Sequence, residues 1–345
     1  MSQLARSALL GTSIAAVVIT LSGCTLVPFA PLPPPGPSGG PSRPAAAVQV
    51  ASIPLTDRPS NVAISPDGRQ AWVAGDTAVT VIDTAARSVL ATISLPETHD
   101  RDVAFAPDGR RAYVSAKDGI AVIDTAGRAV VGEVDLGGAV LTAESVVVTP
   151  DGRQVFAAGS GEVVAIDAAA LSVTGSTTVD RYVNTMRMAM APDGRTLIVT
   201  TSTGAAVLDT ATRKQVDTVG LSRSGGSGVG FAPDGQRAYL SDISASEVVA
   251  VDGRSTVVQA HVPLELHSPG PVTVSPDSRR VFVGGYGVGG AIFSVIDAGT
   301  DTVLAGLTIS HQPRDLALTA DGGLLYATDW AGRTVSVLDV SAQSR

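Results

Sequence analysis

Asn61–Leu95 reads NVAISPDGRQAWVAGDTAVTVIDTAARSVLATISL. Short apolar runs in this stretch are separated by two punctuation marks, Ser65-Pro66-Asp67-Gly68 and Asp83-Thr84-Ala85. The first mark returns at Pro107, Pro150, Pro192 and Pro233, each followed by Asp-Gly, and in altered form at Pro276-Asp277-Ser278 and Ala320-Asp321-Gly322. Seven copies spaced 41, 43, 42, 41, 43 and 44 residues apart mark a repeat architecture, in which one supersecondary unit stacks on the next.

Within the unit, Val62, Ile64, Trp72, Val79, Val81, Ile82, Val89, Ala91 and Ile93 fall in runs rich in β-branched residues. Turn chemistry closes each run after about five residues, which makes them strands. Pro-Asp-Gly suits a tight reversal between the first and second strands: Pro presets φ, Asp bonds its own backbone, and Gly accepts the left-handed conformation. The second mark ends the third strand and returns as Asp124, Asp167, Asp209, Asp252, Asp297 and Asp339. An aspartate at a strand end caps the N–H groups of the following turn, so this register of carboxylates is read as turn capping, not as a metal array.

Four short antiparallel strands cannot bury both faces alone, and radial repetition of such sheets gives a β-propeller. The expected fold is therefore all-β, a seven-bladed β-propeller of four-stranded antiparallel blades. Val48–Leu55 matches a fourth strand, while Thr334–Asp339 is a third strand with none after it. The N-terminal strand is expected to pair into the last blade, closing the ring and removing an exposed edge.

The 345 residues divide into a leader (1–23), Cys24 with a tether (24–46) and the propeller (47–345). Arg6 and the apolar run Leu9–Leu21 read as a secretory signal. It ends in Leu21-Ser22-Gly23-Cys24, which resembles the bacterial lipoprotein lipobox and contains the chain's one cysteine. That resemblance implies cleavage before Cys24, a diacylglyceryl group on its sulfur, and acyl chains such as palmitate that anchor the protein to a membrane. Pro28 to Pro44 holds eight prolines with Gly36, Gly39 and Gly40, a composition that stays extended and acts as a spacer. After the leader no apolar run approaches the roughly 20 residues of a membrane-spanning helix. Net charge is −8, which argues against a nucleic-acid partner or a polybasic membrane patch.

Ala112-Tyr113-Val114-Ser115, Ala238-Tyr239-Leu240-Ser241 and Leu325-Tyr326-Ala327-Thr328 each follow a PDG-type turn and precede a Val-Ile-Asp-type strand. On these residues the span from Val48 to Asp339 resembles the bacterial YVTN-repeat propellers, which are related to lactonase-like seven-bladed proteins. The resemblance implies blade construction and leaves the ligand open. It also implies that the first strand of each blade is innermost. The two turn marks then share one uniform face, and the irregular fourth-to-first and second-to-third connections share the other, where binding usually lives.

Five residues before each turn mark, where the innermost strand begins, stand Asn61, Asp102, Ser145, Arg187, Gly228, Pro271 and Asp315, with Arg101, Glu144, Met186 and Arg314 adjacent. A mixed ring of Arg and Asp around a funnel suits a small polar or anionic ligand held by charge-assisted hydrogen bonds. The competing role is mutual pairing that holds blades in register. Gly285-Tyr286-Gly287-Val288-Gly289-Gly290 fits G-x-G-x-x-G but precedes a strand, so it is read as an enlarged hairpin loop with Tyr286 at its tip and Trp330 as a stacking neighbour. Ser224–Gly230 reads as a flexible segment entering the fifth blade. His99, His267 and His311 fall in irregular connections without metal-motif spacing, and no G-x-S-x-G elbow occurs.

No cofactor, metal or catalytic constellation is implied. The expected function is a membrane-anchored, extracytoplasmic propeller that serves the cell envelope as a ligand-binding or protein-interaction scaffold, its partner an envelope protein or a small polar ligand. The alternative, a lactonase or hydrolase-type enzyme with its site in the central funnel, requires His99, His267, His311 or acidic residues to converge within metal-ligand reach.

Overall fold

A computed structural model describes residues 47–117, 119–138, 140, 143–180, 187–222, 226–287, 290–309 and 311–342. The leader, Cys24 and the tether lie outside these residues, so the expected lipid anchor has no structural counterpart here. Among the described residues no helix is long and apolar enough to cross a membrane.

The strands form seven four-stranded antiparallel sheets. Blades 1 to 6 occupy 59–94, 103–135, 145–178, 188–220, 226–263 and 266–309, each in sequence order, and blade 7 joins 316–339 to the strand Val48–Pro54. The first strands contact one another all the way round, blade 7 touching both blade 6 and blade 1, which places them innermost and closes the circle. Val48–Pro54 is the outer strand of blade 7 in the expected antiparallel register, from Val48 opposite Asp339 to Pro54 opposite Thr334. The C-terminal blade is thereby locked by the start of the propeller sequence.

The core is divided into seven clusters, each filling the gap between two adjacent blades. At the third position of each second strand stands a bulky residue, Trp72, Tyr113, Phe156, Ile198, Tyr239, Phe282 and Tyr326 in turn, and none is more than 2% exposed. Each blade's inner face is a sheet surface that only its neighbour can cover, so stability comes from the seven interfaces jointly.

The turn marks behave as their chemistry requires. Gly68 adopts φ 71°, and Thr84 Oγ1 donates to its carbonyl at 2.7 Å, so the two marks meet on one face of the ring. Asp83 Oδ1 accepts from the N–H groups of Ala85 (2.9 Å) and Ala86 (2.7 Å), and Asp252 does the same for Arg254 and Ser255. These hydrogen bonds hold the Asp252 carboxyl below its ordinary range.

Two segments differ from expectation. The hairpin containing Tyr286 is an extension of the sheet rather than a loop: its strands run Arg280–Gly287 and Gly290–Asp297, with Tyr286 opposite Ala291. Gly285 is there for close packing, since a Cβ on it would lie 2.8 Å from the Ser268 carbonyl and 2.9 Å from Leu266 Cδ1. In blade 5, Ser224 and Gly225 lie outside the described residues, and Gly226–Phe231 is a bulged strand. A Cβ on Gly228 would sit 2.2 Å from the Gly270 carbonyl of blade 6, so the small residue permits contact between neighbouring strands.

Candidate functional site

The seven positions singled out by the repeat period, Asn61, Asp102, Ser145, Arg187, Gly228, Pro271 and Asp315, all line one cavity at the centre of the ring, of about 170 Å³. Each comes from the innermost strand of its blade or the residue just before it, which is why one sequence register produces one circle. Ser227 also lines it; it was not legible in advance because the bulge between Gly226 and Val229 shifts the blade 5 register.

The cavity wall is stitched by bonds that pass from one blade to the next. Asp315 Oδ2 accepts from the Val62 N–H of blade 1 at 3.0 Å. Asp102 Oδ2 accepts from the Val146 N–H of blade 3 at 2.9 Å and from the Ser145 hydroxyl at 3.2 Å. Ser145 Oγ in turn accepts from the Met188 N–H of blade 4 at 3.2 Å. In all three the acceptor occupies the singled-out position and the donor is the N–H one residue beyond it in the next blade. Blade registration is therefore one job of this ring. Asn61 Nδ2 adds a bond to the Arg101 carbonyl at 2.8 Å.

The charges around the cavity are not all neutralised by one another. Arg187 Nη1 donates to the Glu144 carbonyl at 3.1 Å. None of the ion pairs among the described residues joins Arg187 to Asp102 or Asp315. Its field still reaches both. Burial pushes the Asp102 carboxyl above its ordinary range, with Arg187 and the hydrogen bonds from Val146, Val103 and Ser145 opposing. Burial likewise lifts Asp315 to about 7, opposed by Arg187 and the Val62 N–H and reinforced by the like charge of Asp102. Among the described residues the cavity thus sets the Arg187 guanidinium against two carboxyls whose pKa values burial has raised, without an ion pair between them.

The five other candidates stand elsewhere. Arg101 is fully buried away from the cavity. Its guanidinium donates to the carbonyls of Gly75 (3.0 Å), Ser115 (3.2 Å), Asp76 (3.4 Å) and Pro96. Burial lowers its pKa to about 10 while Asp57 and Asp76 hold it up. Arg101 is a clamp between blades 1 and 2 and leaves the set of ligand-facing side chains. Glu144 contributes its carbonyl to Arg187 and does not line the cavity. Arg314 pairs with Asp100 on the irregular face and lies 5.4 Å from the Trp330 ring, whose centroid is 4.5 Å from the Arg58 guanidinium. Trp330 is thus stacked by arginines, not by Tyr286: the ring pair among the described residues is Trp72 with Phe105. Tyr286 is 52% exposed at the tip of blade 6.

The histidines are not brought together. His99 faces Asp76 at 3.6 Å beside the second-to-third turn of blade 1, and His311 faces Asp329 at 2.6 Å beside that of blade 7. His267 lines a separate recess with Leu264, Leu266 and Ile292. Among the described residues no three His, Cys, Asp or Glu side chains are grouped as a metal ligand set.

Comparison with known proteins establishes the class. No family model matches the chain, and no curated protein matches it. Among solved structures 1706 chains match. One of them is a chain of the hydrazine synthase of Kuenenia stuttgartiensis, with a TM-score of 0.73 and 17% identity over 86% of this chain and 99% of that one. The protein is a seven-bladed β-propeller.

Proposed function

We infer that this propeller is lipid-anchored on the extracytoplasmic side of a membrane and binds a small polar ligand in its central cavity. The observation that carries this is the composition of the ring: Arg187 faces Asp102 and Asp315 around a cavity of about 170 Å³ with no ion pair among the described residues closing it. Blade registration alone needs only one acceptor per interface, a task that Ser145 performs without a charge. Half-buried carboxylates and an arginine at the same level are costly unless they are matched to something. Support for the anchor comes from Leu21-Ser22-Gly23-Cys24 after an apolar leader and before a proline-rich spacer.

Full-length protein recovered from its own membranes, as wild type and as Arg187→Met, tests the binding function by mass spectrometry of the small molecules retained. A compound held by the wild type and missing from a normally folded Arg187→Met protein is expected. Identical contents in the two would refute cavity binding. The anchor is tested separately: Cys24→Ser should shift the protein to the soluble fraction, and unchanged membrane fractionation would exclude lipidation at Cys24.

A further inference from the structure

The order of residues around the circle polarises the cavity. Blades 7, 1 and 2 are consecutive in the closed ring and contribute Asp315, Asn61 and Asp102. Blade 4, which contributes Arg187, lies across the circle from blades 7 and 1. One wall is therefore an acidic arc and the opposite wall is an arginine.

The hydrogen-bonding capacity left on each wall can be counted. Asp102 accepts from Val103 N–H (2.8 Å), Val146 N–H and Ser145 Oγ. Asp315 accepts from Val62 N–H and from the Leu316 N–H. A carboxylate offers about four lone-pair sites, so about three remain open on the arc, which is the number of donors on a primary ammonium. Across the cavity, Arg187 uses one N–H on the Glu144 carbonyl, leaving enough of its roughly five donors for a two-pronged contact with a carboxylate. Size sets the remaining limit. A cavity of roughly 150 Å³ accommodates a benzene-sized molecule, so about 170 Å³ takes six or seven heavy atoms.

We propose that the ligand of the central cavity is a small zwitterion of alanine size, its ammonium group held by Asp102 and Asp315 and its carboxylate by Arg187. This rests on the cavity being a binding site and goes further by naming the class: an amino acid or a close amino-carboxylate analogue. A simple anion would leave the acidic arc unmatched, and a simple amine would leave Arg187 unmatched. A zwitterion satisfies both walls and adds no net charge to the protein.

The test is calorimetric titration of the dialysed full-length protein in detergent at neutral pH with four probes: alanine, β-alanine, propionate and ethylammonium. At least one of the two zwitterions should bind more tightly than propionate and ethylammonium by about tenfold or more. That binding should weaken by about tenfold or more in both Arg187→Met and Asp102→Asn. Asp315→Asn, which keeps an oxygen for the Val62 N–H, serves as the acidic-wall variant if Asp102→Asn does not fold. Propionate or ethylammonium binding as tightly as the zwitterions, no zwitterion binding at all, or zwitterion binding indifferent to Arg187→Met would overturn the assignment. Recovery of an Arg187-dependent compound from membranes alongside any of these results would leave ligand binding by the cavity standing with another class of ligand. No Arg187-dependent compound and no probe binding would remove both.

Discussion

Replacing Asp315 by Asn removes one ionisable group from the cavity wall and keeps an oxygen in place to accept from the Val62 N–H at 3.0 Å. Burial lifts the native Asp315 carboxyl from its ordinary 3.8 to about 7. The sign follows from proton binding. Between those two values the folded protein holds more protons than the unfolded chain, so the wild type loses stability as pH rises. Below the lower value both states are protonated and nothing is lost; above the upper value the full penalty of a buried charge applies. A displacement of about three units corresponds to at most ~4 kcal/mol, and the share that develops between about pH 5 and pH 8 is roughly 2–3 kcal/mol. Asp315 is reached from the cavity, where water screens it, so this share is a ceiling. The assay is urea denaturation of ligand-free protein, followed by fluorescence and circular dichroism across that range. The stability of Asp315→Asn minus that of the wild type should increase with pH by up to ~2–3 kcal/mol. A flat difference, or one that decreases with pH, would refute a buried carboxyl with a raised pKa at this position.

Arg101→Met removes the donor to four carbonyls in a fully buried setting. It should destabilise the protein by about 3 kcal/mol or more, read as a lower urea midpoint, with cavity ligation unaffected in the protein that remains folded. Ser278 stands at φ 62° where the other turn marks have glycine. Ser278→Gly should raise stability by about 1 kcal/mol, less whatever its exposed bond to the Asp234 N–H contributes. Deleting Val48–Pro54 strips the outer strand from blade 7 and exposes the Thr334–Asp339 edge. The truncated protein should self-associate in analytical ultracentrifugation where the intact chain does not.

Much of this architecture was legible because the repeat states it seven times over. The Pro-Asp-Gly and Asp-Thr-Ala marks fix which residues turn, the period fixes how many blades there are, and the unmatched runs at Val48 and Thr334 fix how the ring closes. The cavity positions were legible for the same reason, since a residue five places before each turn lies at the same height in every blade. The direction in which a side chain points was not. Arg101 and Asp102 are neighbours where the innermost strand begins, and alternation sends Asp102 to the cavity and Arg101 between blades. Composition alone reads the glycines of blade 5 as a flexible segment and those of blade 6 as a loop, because it does not reveal a close approach of two backbones, here Gly228 against Gly270 and Gly285 against Ser268. Pairing of Trp330 with Arg58 and Arg314 depends on loops from different blades and carries no signature in any single repeat.

The most direct measurement is a high-resolution crystal structure of the protein purified from its own membranes without added ligand. It should contain density for a small molecule that touches Arg187 on one side and Asp102 and Asp315 on the other. Water alone in the cavity, with Arg187 turned to form an ion pair with Asp102 or Asp315, would contradict a ligand site at the centre of the ring.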